Sequence, residues 1–116
     1  MGSATTQAVA ATTAALDEMP LSDLGVAREL FAVARSLGDS PQLSGALADS
    51  AAAPAARAKV VADVFAAAVS APTVRLVTTA AEQPWSTASD LVDGIEELAV
   101  RAAAKASPTA DVEAEL

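Results

Sequence analysis

Carboxylates are the only abundant reactive groups in this sequence: 15 Asp and Glu against 7 Lys and Arg, with no His and no Cys. Paired carboxylates can do general acid–base work only when the chain brings them to one shared site. Here Asp90, Asp93, Glu96 and Glu97 crowd one stretch, and the others fall near segment ends. A solvated helix face and favourable helix ends account for that distribution. Without His the commonest general base and metal ligand is missing. Without Cys there is no thiol nucleophile, thiolate zinc site or disulfide. Gly25, Gly38 and Gly94 stand alone, so no glycine-rich phosphate loop is present. The expectation is a non-enzyme with no catalytic residue, cofactor or metal. Two side chains still invite a functional reading. Ser40 follows Asp39 at a helix start, where a hydroxyl can carry a group or simply cap the helix. Trp85, between Pro84 and Ser86, can anchor a partner or close one end of a core.

The formal net charge is −8. A nucleic-acid binder needs a basic surface, and no basic cluster exists here, so nucleic acid and direct adhesion to anionic lipid are disfavoured. No stretch approaches the roughly 20 apolar residues of a spanning helix, so no direct membrane insertion is expected. The start of the chain lacks a secretory leader pattern. Met1-Gly2 with Thr6 fits a loose myristoylation pattern that is too common to carry weight.

The elements follow from composition and punctuation. Hydrophobic residues are 53% of the chain and aromatics 3%, namely Phe31, Phe65 and Trp85. A core built on Leu, Val, Ile and much Ala favours helices over sheet. The pattern predicts an all-α, six-helix bundle. The first helix runs from Thr5 to Glu18 and ends at Pro20. The second follows Ser22 and runs to Leu37, with Leu24, Ala27, Leu30, Phe31, Ala34 and Leu37 on one face and Gly38 as a left-handed cap. The third has Ser40 as N-cap and Pro41 at its first position, with Leu43, Ala46 and Leu47 inward. Pro54 opens the fourth, with Val60, Val61, Val64, Phe65 and Ala68 as its stripe. Pro72 opens the fifth, which carries Val74, Leu76, Val77, Ala80 and Ala81 and stops before Pro84. The sixth starts at Thr87, with Asp90 completing a capping-box pattern and Leu91, Ile95, Leu98 and Ala102 repeating at helical spacing. Gly94 inside it implies close packing. Glu97 and Arg101 form an i,i+4 pair. Ser107-Pro108 breaks the pattern, which divides the chain into a bundle over 1–106 and a linker, or the start of a further domain, over 107–116. The chain reads as a fragment of a longer protein.

Two resemblances bear on function. Asp39-Ser40 is similar to the prosthetic-group site of acyl carrier proteins, which are also acidic helical bundles, but Pro41 stands where that family has Leu. A more sustained one joins Glu29-Leu30-Phe31-Ala32-Val33-Ala34, Leu43, Ala46-Leu47-Ala48-Asp49, Val60-Val61-Ala62-Asp63-Val64-Phe65, Trp85-Ser86 and the run from Asp90 to Leu98. In order and spacing these resemble the delta subunit of actinobacterial F-type ATP synthases, the homologue of the mitochondrial oligomycin-sensitivity-conferring protein, over residues 5–116. The first helix departs from the family in lacking its Tyr and Phe, and Pro84 replaces an Arg common before Trp85.

The resemblance implies a non-catalytic peripheral-stalk subunit at the cytoplasmic face of the cell membrane. It would hold the catalytic head stationary during rotary, proton-driven ATP synthesis. Its N-terminal domain would hold the N-terminal helix of an alpha subunit between the first and fifth helices. The stalk b subunit would be bound through a C-terminal domain missing from this sequence. The residues themselves add that the first helix carries no charge from Thr5 to Leu16, and the fifth only Arg75 and Glu82. Helical spacing puts Val9, Thr13 and Leu16 on one face of the first, and Val74, Val77 and Ala81 on one face of the fifth. These six are the candidate groove residues for the alpha-subunit helix. Whether the two stripes border a groove or face the core is left open by spacing alone. The alternative function is a generic helical adaptor or regulator that binds an amphipathic helix.

Overall fold

A computed structural model describes residues 3–19 and 24–106. Within them the chain forms six helices and no strand: α1 (Ser3–Asp17), α2 (Gly25–Gly38), α3 (Pro41–Ala48), α4 (Pro54–Phe65), α5 (Ala71–Glu82) and α6 (Ala88–Ala106). The expected roles of Pro20 and Ser22, and the segment 107–116, lie outside the described residues.

Local chemistry explains most boundaries. Ser40 is extended and accepts the Leu43 N–H at 3.3 Å, and Pro41 follows at the start of α3. Its hydroxyl thus serves the helix cap. Proline also opens α4 and sits in the first turn of α5, where its missing N–H costs no helical bond. Two expectations need correcting. Gly38 is not a left-handed cap. It closes α2 as a helical residue, Asp39 stays right-handed, and the extended Ser40 turns the chain into α3, so no positive φ is needed. The capping box before α6 is only half formed. Thr87 Oγ1 accepts the Asp90 N–H at 3.0 Å, but the Asp90 carboxylate takes a hydrogen bond from Thr5 at 2.9 Å.

Packing centres on α6, which packs most extensively on α2 and also on α3, α1 and α5, while α4 packs on α5. Leu30, Leu37, Leu47, Leu76, Leu91, Ile95 and Leu98 are buried in one continuous core. Apolar burial of this kind contributes roughly 25 cal/mol per Å² removed from water. Trp85 belongs to that core. It is buried, and its indole Nε1 donates to the Ala80 carbonyl at 2.7 Å. Its ring lies against Gly94 of α6, so closely that a Cβ there would stand 2.6 Å from Cζ3 and nearer still to Cη2.

Some residues expected inward are outside. Phe31 is 41% exposed and Val64 45% exposed, while Leu24 and Ala46 also face solvent. Phe31 and Val64 sit one residue beside the buried Leu30 and Phe65, a rotation of about 100° on a helix. In α3 the buried position beside Leu47 is taken by Ser44, whose hydroxyl bonds back to the Ser40 carbonyl at 3.2 Å.

Candidate partner-binding face of the first and fifth helices

Helix α1 packs against both α5 and α6. Its buried stripe is Thr5, Ala8, Thr12 and Leu16, spaced by three and four. Thr12 hides its hydroxyl by donating back to the Ala8 and Val9 carbonyls, each at 3.0 Å. Val9 and Thr13 fall on one shoulder of that stripe and are half-buried. On α5 the buried set is Thr73, Leu76, Val77, Ala80 and Ala81, with Val74 and Thr78 half-buried on one shoulder.

This divides the six candidate residues. Val9, Thr13 and Val74 keep part of their surface. Leu16 is 1% exposed, and Val77 and Ala81 are fully buried. Those three face the core, one of the two readings that spacing had left open.

The ends of these charge-poor helices are held by side chains from elsewhere. At the start of α1, Thr5 Oγ1 donates to Asp90 and accepts the Ser86 N–H at 2.9 Å, tying α1 to the turn before α6. At its end, Lys105 of α6 donates to the Leu16 and Asp17 carbonyls at 2.7 and 2.9 Å. At the start of α5, Glu29 of α2 accepts the Ser70 N–H at 3.0 Å and the Ser70 and Thr73 hydroxyls at 2.6 Å. At its end, Arg57 of α4 is buried and donates to the Ala81 and Glu82 carbonyls at 2.6 and 3.1 Å. Arg57 also reaches back to the Asp49 and Ala52 carbonyls in the turn before its own helix. Neither α1 nor α5 has a basic residue in its last turn, so each receives from another helix the cation that complements its macrodipole.

The Glu29 clasp makes stability depend on pH. Partial burial works to raise its pKa, but hydrogen bonds from the Ser70 hydroxyl, the Thr73 hydroxyl and the Ser70 N–H hold it below the ordinary value of 4.5. A carboxyl with a depressed folded-state pKa stabilises the fold above its unfolded pKa, and the contribution is lost as pH falls through the folded value. Glu29→Gln is therefore expected to lower the urea midpoint at pH 7. The gap from the unaltered chain should close at an acid pH, below the depressed folded-state value. A gap equal at both pH values would show that the charge of Glu29 contributes nothing.

A depression that sequence reasoning missed lies between α2, α3 and α4. It has a volume of about 320 Å³ and a mostly apolar lining that includes Ala32, Ser36, Leu43, Val64 and Phe65. Among the described residues no group of three or more acidic side chains is placed to hold a metal ion, and no helix is long and apolar enough to cross a membrane.

No family profile matches the chain. Individual curated relatives do. An ATP synthase subunit delta of Leifsonia xyli subsp. xyli is 42% identical over 118 aligned residues, which cover all of this chain and 44% of the relative. The ATP synthase subunit delta of Nocardia farcinica is 41% identical over 76% of this chain and 34% of its own length. That of Streptomyces avermitilis is 36% identical over 86% of this chain and 38% of its own. The chain thus spans less than half the length of the curated relatives it matches. An all-helical bundle with two charge-poor helices side by side, matched from end to end at this identity, belongs over the stretch it covers to the family of ATP synthase delta subunits of actinobacteria.

Proposed function

We propose that this domain is the head-gripping part of a peripheral stalk. It holds the N-terminal helix of an ATP synthase alpha subunit along α1 and α5 and so helps keep the catalytic head stationary while the central stalk turns. In this reading it does no chemistry itself. It sits peripherally at the cytoplasmic face of the membrane as part of the complex, and the stalk b subunit binds elsewhere on the full-length protein.

The observation that carries the reading is the end-to-end similarity to chains named ATP synthase subunit delta. The surface supports it. Val9, Thr13 and Val74 offer half-exposed apolar shoulders on neighbouring helices. An amphipathic helix can lay its apolar stripe there, and the net charge of −8 favours basic residues on its flanks.

Val74 is the residue to test. A carboxylate at the fully buried Val77 would disrupt the core, whereas one at the half-exposed Val74 can reach water. Val74→Asp is expected to weaken binding of a peptide from the alpha-subunit N-terminus by tenfold or more. The melting temperature should move by only a few degrees, as about 1 kcal/mol does in a domain this size. Unchanged affinity in the folded variant would move the site off this face. The depression between α2 and α4 would then be the next candidate.

A further inference from the structure

We infer that the seam between α2 and α6 is a second docking groove, and that its occupant is one amphipathic helix of another protein. Two depressions lie in line along this seam. One, of about 330 Å³, is lined by Phe31, Ala34 and Arg35 of α2 and Glu96 of α6. The other, of about 310 Å³, continues it past Leu37 and Gly38 of α2 and Val92 and Asp93 of α6. On each helix these positions recur at three- and four-residue steps, so they form one stripe. Gly38 helps to keep the groove open, because a Cβ built there would meet nothing within 4 Å. Among the described residues, the large apolar side chains left exposed are Leu24, Phe31, Val64 and Val100. All but Val64 fall on these two stripes. None of the lining residues belongs to α1 or α5, so the groove is distinct from the face proposed above.

The two rims of the groove have opposite charge. Arg28 and Arg35 share the α2 stripe with Phe31, and Asp93 and Glu96 share the α6 stripe with Val100. All four charged side chains are exposed. The one ion pair among the described residues joins Glu97 to Arg101, and none of these four takes part in it. The rims therefore specify the chemistry of the occupant. It presents an apolar ridge to the floor, carboxylates to the arginines, and Lys or Arg to the carboxylates. The 14 residues of α2 set its length at roughly 20 Å, or about four turns. A second copy of this chain fits less well. Its matching face would set groove against groove and leave the floor unfilled, and two chains of net charge −8 repel.

A synthetic four-turn peptide is the probe, with leucines on one ridge, glutamates along one flank and lysines along the other. Its control has the same composition with the two charges interleaved on both flanks. The segregated peptide is expected to bind the 116-residue chain about fivefold more tightly than the control, and added salt should narrow the difference. In an NMR titration the shifted amides should concentrate in α2 and α6. Arg35→Glu and Glu96→Lys should each weaken binding about threefold, and Phe31→Ala about tenfold. Val64→Ala and Val74→Asp lie off the seam and should leave it unchanged. Equal affinity for the two peptides, or no binding of either, overturns the inference. Shifts centred on α1, α4 or α5 overturn it as well. So does sedimentation showing that the free chain dimerises through α2 and α6. None of these readouts uses an alpha-subunit peptide, so failure of the proposed function would leave them standing.

Discussion

Replacing Arg57 with methionine is expected to destabilise the domain by about 3 kcal/mol, a large share of the roughly 5–15 kcal/mol that holds such a domain folded. Arg57 is 4% exposed, and its described partners are all main-chain carbonyls: Ala81 and Glu82 at the end of α5, Asp49 and Ala52 in the turn before α4. Methionine fills much of the space but donates nothing. It would strand buried acceptors at about 1–3 kcal/mol each, offset in part by water reaching the less buried ones. Lysine should not rescue the loss, because a point ammonium cannot span two sets of carbonyls as a planar fork does. Urea denaturation of Arg57→Met and Arg57→Lys decides the matter. A loss below about 1 kcal/mol in the methionine variant would mean that the carbonyls find other partners.

At Gly94 the expected sign runs against helix propensity. Alanine is better than glycine inside a helix by about 1 kcal/mol, so an unobstructed Gly→Ala change should stabilise. At Gly45 nothing lies within 4 Å of a built Cβ, and Gly45→Ala is the control for that gain. At Gly94 the new methyl would meet the Trp85 ring. The ring cannot easily withdraw, being buried and held by its indole bond to Ala80. Gly94→Ala is expected to be destabilising by about 1–2 kcal/mol net, and Gly94→Leu by about 3 kcal/mol or more as the ring is expelled. Trp85 is the sole tryptophan, so a red shift of its fluorescence should accompany the loss. Stabilisation by Gly94→Ala with an unshifted spectrum would refute the close contact.

The helices and their order were legible because proline, serine and glycine mark boundaries by local chemistry, as Ser40-Pro41 does before α3. The pairing of Trp85 with Gly94 was half legible: the glycine implied close packing, but its partner came from another segment. The candidate groove was least legible. Spacing puts Val74, Val77 and Ala81 on one face, yet it does not say which edge of that face meets water. That is set by the neighbouring helices, which left Val74 outside and the other two within. Arg57 was missed although a signal existed. It shares the four-residue spacing of the buried Val61 and Phe65, which places a cation on an inward stripe. Lys105 suited the end of its own helix, and only the fold shows it serving α1.

The ties that secure α1 also set an order of assembly. Thr5 is bound to a residue 85 positions away, and Leu16 to one 89 positions away. Closing such long loops early costs chain entropy before any packing offsets it. Synthesis delivers α1 first and its anchors, Asp90 and Lys105, last. A nascent chain that has reached α5 holds the residues of α1 with neither end fastened to α6, and those ties must wait until nearly the whole bundle has left the ribosome.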